Sequence, residues 1–130
     1  MTGEKSKMKT FIIIAAVNAF MAVACGAFGA HGLEGKLSEK SLEVWKTAVQ
    51  YQMFHAGGLL AVGLLWNHLS SHNLLNWSGW MMFLGIILFS GSLYVLSVTS
   101  ITKLGIITPF GGVAFLASWV LMIVAVYKYS

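Results

Sequence analysis

Four long apolar stretches alternate with short polar connections along this chain. The longest interval without Lys, Arg, Asp or Glu runs from Thr47 to Thr102. About 20 apolar helical residues cross a hydrocarbon core roughly 30 Å thick, so this interval is long enough for two crossings and the turn between them. Backbone groups in lipid must be satisfied within their own segment, so each stretch is predicted to be a helix. We therefore predict an all-α integral membrane protein, a bundle of four transmembrane helices.

Charge gaps, Gly and Pro positions and interfacial aromatic residues define the predicted spans. Their approximate bounds are residues 10–31, 47–66, 76–100 and 108–127. Ser38 is predicted to cap a helix that runs directly into the second span, because Glu39 follows in its first turn. Thr108 and Pro109 are predicted as the N-cap and first residue of the fourth helix, since proline lacks only an N–H that is unpaired there. A kinked helix from Leu104 is the alternative.

Composition leaves no room for a soluble domain. The 130 residues are 58% hydrophobic and 9% charged, so residues 1–130 are predicted to form a single four-span membrane domain. The charged residues are eight Lys and four Glu, and they lie at the chain ends and in loops. This distribution favours membrane lipid as a partner and disfavours nucleic acid.

The distribution of the Lys residues bears on membrane topology. These residues divide equally between the two sides of the predicted bundle, and because the first span usually dominates, both termini are predicted to be cytoplasmic.

Cys25 is the single cysteine, which excludes an internal disulfide. A lipoprotein-type cleavage site ending at Cys25 is an alternative, but apolar sequence continues to Ala30, so an uncleaved first span is preferred.

Polar side chains inside the predicted spans are the best pointers to function, because they cost free energy in lipid. The candidate intramembrane cluster comprises Asn18, His31, Tyr51, Gln52, His55, Ser90 and Tyr94. Tyr51 and His55 share a face of the second span, with Gln52 at its margin. Ser90 and Tyr94 share one face of the third span, and small residues line its opposite face, which predicts helix contacts on both sides.

Each of these residues has a structural and a functional interpretation. His55 is either a hydrogen-bonded interior histidine, a proton relay or a ligand-contacting group. Asn18 either bonds a neighbouring helix or lines a polar path. A haem-type pair of His31 and His55 is disfavoured by their different predicted depths. The sequence contains no hydrolase triad, phosphate loop or intramembrane carboxylate, so no enzymatic activity, cofactor or metal is predicted.

Four segments resemble a known family. They are GAFGAHGL at residues 26–33, AVQYQMFHA at 48–56, FSGSLYVLS at 89–97 and ITPFGG at 107–112. Their order and content resemble the YgdD/YwdK-type family of small four-span membrane proteins, and the resemblance extends over nearly the whole chain from Met8. It implies a multi-pass protein of the bacterial plasma (inner) membrane with no established activity. It carries over no functional residue.

Two hypotheses for function follow from these patterns. The first is a non-enzymatic accessory, assembly or lipid-binding membrane protein, whose partners are membrane lipid, further copies of the chain in a homo-oligomer, or other membrane proteins. The alternative is a minimal oligomeric transporter or channel for a small solute or protons, with Asn18, His55, Ser90 and Tyr94 along its route. An oligomer is needed in the second case because four helices in one copy hardly enclose a pore.

Overall fold

A computed structural model describes the backbone of residues 2–130 and the side chains of residues 5–130. All regular structure in this part of the chain is helical, as predicted. The four long helices are α1 (Thr2–His31), α2 (Glu39–Leu65), α3 (Asn73–Thr99) and α4 (Thr108–Tyr129). Short 3₁₀ helices, Trp66–His68 and Thr102–Ile106, lie in the two later connections.

Three helical segments are long and apolar enough to cross a membrane. They are Lys5–His31, Asn73–Thr99 and Thr102–Tyr129. Helix α2 is not among them although it has 27 residues, because Gln50, Gln52 and His55 lower its mean hydropathy. Its polarity distinguishes α2 from the other three helices.

The helix starts agree with the sequence patterns at α2 and differ slightly at α4. Ser38 caps α2, since its hydroxyl accepts a hydrogen bond from the Ser41 N–H at 3.1 Å. At α4 the predicted cap is wrong by one residue: Ile107 is the N-cap and Thr108 is already helical. The physical reason is that the Thr108 hydroxyl lies 2.6 Å from that of Ser92 on α3, so it joins two helices and leaves the first turn of α4 uncapped.

Helix α3 contains a π-helical segment at Ile86–Gly91 and contacts helices on two sides. On one side Ser90 reaches α2, where it donates to the Ala48 carbonyl at 2.8 Å. On the other side Gly85 packs against Phe115 of α4. The predicted two-sided contact of this helix is confirmed. A π turn inserts one extra residue into the helical repeat, and such turns are frequent at functional sites.

The core is mainly apolar and closely packed. Helix α1 packs mainly on α2, whereas α3 packs on both α4 and α2. The core side chains larger than alanine are Phe11, Leu59, Val62, Trp66, Leu69, Leu75, Met82, Ile86 and Phe115. Glycine permits close helix approach: a Cβ at Gly111 would overlap the backbone of Phe89, and one at Gly63 would meet Ile12 of α1. These glycines therefore let α3 and α4, and α1 and α2, approach each other closely.

Candidate functional site

Three of the candidate side chains form one hydrogen-bonded chain across three helices. Gln52 of α2 lies at its centre and is 2% exposed. Its Nε2 donates to Asn18 Oδ1 of α1 at 3.1 Å, and the Tyr94 hydroxyl of α3 donates to its Oε1 at 2.7 Å. Asn18 Nδ2 donates in turn to the Ile14 carbonyl at 2.9 Å. This polar network joins α1, α2 and α3 and gives each of its amide oxygens and nitrogens a partner.

The polar network lies at the bottom of a groove between α1 and α3. The groove has a volume of about 370 Å³, and Ser90 lines it together with the three network residues. The remaining lining is apolar and consists of Val17, Met21, Phe83, Ile86, Ile87 and Gly91. Val17 and Ile87 are about half exposed, whereas Ser90 is fully buried. The groove is thus an apolar surface feature with a hydrogen-bonded floor.

His55 lies on the other side of α2, facing α4, and both of its ring nitrogens are bonded. The Trp119 indole N–H donates to Nε2 at 3.0 Å. Because an indole nitrogen only donates, Nε2 is an acceptor and the ring proton is on Nδ1. Nδ1 then donates to the Tyr51 carbonyl at 2.9 Å, and the Phe115 ring stacks on the imidazole at 3.6 Å between centroids. His55 is therefore a neutral, hydrogen-bonded histidine.

The structure separates the other candidates. The Tyr51 side chain is 40% exposed and contacts Phe89 at 4.5 Å between ring centroids, outside the polar network. His31 is exposed at the end of α1. Gly29, two residues before His31, packs against Trp45, whereas His55 lies about 15 Å further along α2 at about 1.5 Å per residue, so the two histidines are far apart. Among the described residues, no group of three or more His, Cys, Asp or Glu side chains could hold a metal ion.

The aromatic partners of the polar residues were not among the sequence candidates. Trp119 and Phe115 complete the surroundings of His55. Trp45 donates to the Cys25 carbonyl at 2.9 Å and meets the Tyr94 ring edge-on at 4.7 Å. Sequence signals for these roles are weak, because Trp and Phe within an apolar span are equally typical of lipid-facing positions.

Comparison with known proteins gives the family of this chain. Residues 25–112 match the family described as "Protein of unknown function (DUF423)". The UPF0382 membrane protein YwdK of Bacillus subtilis is 59% identical over 94% of this chain and 99% of its own length. The chain belongs to the DUF423 family. A UPF0382 membrane protein of Staphylococcus epidermidis is 52% identical to this DUF423 protein over 95% of the chain and 99% of the relative.

These relatives confirm the resemblance to the YgdD/YwdK-type family. They are named membrane proteins and come from bacteria. No solved structure matches the chain significantly. Together with the long apolar helices, the family identifies this DUF423 protein as a membrane protein.

Proposed function

We propose that this DUF423 protein crosses the bacterial plasma membrane four times, with both termini in the cytoplasm, and serves as a non-enzymatic accessory or assembly protein for other membrane components. Its partners are membrane lipid and other membrane proteins. The proposal has two parts, the topology and the role of the buried polar residues, and a different observation supports each.

Contacts between the helix ends support four spans. Lys7 Nζ at the start of α1 donates to Asn76 Oδ1 at the start of α3, at 3.3 Å. Ser70 lies in the connection just before α3, and its backbone N–H donates to the Tyr129 carbonyl at the end of α4, at 2.9 Å. The starts of α1 and α3 and the end of α4 therefore lie on one side. Because α1 carries the chain to the opposite side, α2 has to bring it back, and 27 helical residues extend about 40 Å.

The proposed role rests on the observation that the buried polar side chains form their hydrogen bonds within the protein. A transport path needs polar groups that are free to bind water, an ion or a solute. Here Gln52, Asn18 and Tyr94 bond one another, and His55 is held between Trp119 and a carbonyl. Trp66 Nε1 is the single buried side-chain nitrogen or oxygen without a partner among the described residues. Such an interior is typical of polar groups that fix helix packing.

Flux and stability measurements on the same variants test this role. Liposomes that contain the purified protein are expected to release protons and small solutes from their lumen no faster than empty liposomes do. His55→Leu and Gln52→Leu are expected to lower stability and to leave the background flux unchanged. A wild-type flux that His55→Leu abolishes without loss of stability would establish a transporter and overturn the accessory role.

Lipid binding is a second candidate function, because the groove between α1 and α3 gives it a defined place. Val17 and Ile87 on its rim are apolar and face the surrounding lipid. An acyl chain in the groove would cover the polar network. Gly91→Leu is expected to fill the groove and to reduce the lipid retained on the purified protein, measured by native mass spectrometry. Leu116→Phe on α4 is the control, and equal retention by both variants would contradict the groove as the binding site.

A further inference from the structure

Helix α2 has one face that no other helix covers. Exposed residues recur every three or four positions along this face, with the exposed Tyr51 and Phe54 beside them. They are Glu43, Lys46, Gln50, Met53, Gly57, Leu60 and Leu64. We call these residues the outward face of α2. An average spacing of 3.5 residues keeps them on one stripe of the helix, and this is the spacing with which two helices pack along their length.

The polarity of this face separates α2 from the other helices. Gln50 is exposed, and its amide has no hydrogen-bond partner among the residues that the structure describes. The exposed positions at the middle of α1, α3 and α4 are apolar, as at Val17, Ile87 and Leu116. Lipid tails offer no partner to an amide, and Asn and Gln side chains in membranes hydrogen-bond across helices. The exposed Gln50 therefore indicates a partner that is absent from the single chain.

A second copy of the same chain has the chemistry that this face requires. A carboxamide contains both a donor and an acceptor, so the Gln50 side chains of two chains related by a two-fold axis can hydrogen-bond each other. Gly57 lies two turns further along, and a Cβ there would meet nothing within 4 Å, so the two backbones can approach closely. Glu43 and Lys46 are highly exposed and 3.9 Å apart within the chain, so where each charge meets its own copy across the axis it keeps an opposite charge beside it.

We propose that the protein forms a parallel homodimer through the outward face of α2, with Gln50 of the two copies hydrogen-bonded to each other within it. The dimer is independent of the accessory role proposed above, since neither the polar network nor His55 contributes to this face. Gln50 lies one helical turn beyond Lys46, so the other possible partner of its amide is a lipid headgroup reached by an extended side chain.

Disulfide crosslinking in liposomes tests which surface contacts a second copy. On a Cys25→Ala background, Met53→Cys is expected to form a crosslinked dimer on mild oxidation. Leu116→Cys on the exposed face of α4 is the matched control and is expected to stay monomeric. Equal crosslinking at the two positions, or none at Met53→Cys, would overturn the proposed interface.

The monomer–dimer equilibrium tests the role of the amide. Gln50→Leu is expected to weaken dimerisation in liposomes about 3- to 30-fold, since interhelical hydrogen bonds in membranes contribute about 0.6–2 kcal/mol. Gly57→Leu is expected to weaken it as well, by separating the backbones, while Val113→Leu on α4 leaves it unchanged. Subunit counting by single-molecule photobleaching at several protein-to-lipid ratios gives the equilibrium. A wild-type protein that is monomeric at all ratios, or a Gln50→Leu dimer of unchanged affinity, would contradict the proposal and favour a headgroup as the partner of Gln50.

Discussion

Gln52→Leu is expected to lower the free energy of unfolding by about 1–3 kcal/mol, because two interhelical hydrogen bonds in a membrane protein contribute about 0.6–1.7 kcal/mol each. Leu has nearly the volume of Gln, so packing changes little. The substitution removes the acceptor of the Tyr94 hydroxyl and the donor to Asn18. The free energy is measured by unfolding in mixed detergent micelles, at a dilution that keeps the protein monomeric.

The neighbouring amide Gln50 provides a matched control for this substitution. Gln50→Leu makes the same chemical change two residues away, at an exposed position where no bond within the described chain is lost. Its stability is expected to equal that of the wild type in the same micelles. A double-mutant cycle of Gln52→Leu with Tyr94→Phe is expected to give a coupling of about 0.5–2 kcal/mol. Additive effects, or equal stability of Gln52→Leu and Gln50→Leu, would refute the polar network.

Three further predictions concern single residues. Solid-state ¹⁵N NMR of His55 is expected to detect the Nδ1–H tautomer, with the Nε2 signal shifted in Trp119→Phe; a protonated wild-type ring would contradict the assignment. Gly111→Ala is expected to lower the free energy of unfolding by about 1–3 kcal/mol, because the added Cβ overlaps the α3 backbone. Gly57→Ala places its Cβ in open space, so it is expected to leave that free energy unchanged or to raise it by up to about 1 kcal/mol in the same assay. Ser38→Ala is expected to remove about 1 kcal/mol of cap stability and to speed amide exchange in the first turn of α2; unchanged exchange would argue against the cap.

Local patterns were sufficient to predict the helices. Ser38 followed by Glu39 indicated the start of α2, and Pro109 indicated the start of α4 to within one residue. Apolar length and interfacial residues supplied the rest. The π segment in α3 was not predicted, because Ile86–Gly91 contains no residue type that distinguishes a π turn from an α turn.

The contacts between helices within the candidate site could not be predicted from the sequence. A polar residue in an apolar span is recognisable from sequence, which is how Asn18, Gln52 and Tyr94 were selected. Their mutual bonds depend on the depth at which three separate helices meet, and no local pattern encodes that depth. Trp119 was missed as the partner of His55 for the same reason, since the contact joins residues that are 64 positions apart in the chain.

Hydrogen exchange at the Gln52 side-chain amide tests most directly whether the polar network is sealed from water. Solid-state NMR of the protein in lipid bilayers, with magnetisation transferred from water, reports the contact of this amide with water. If the polar network fixes helix packing, the Gln52 amide protons exchange slowly and receive no transfer from water. Rapid exchange together with strong transfer from water would contradict a sealed network and would favour a polar path through the bundle.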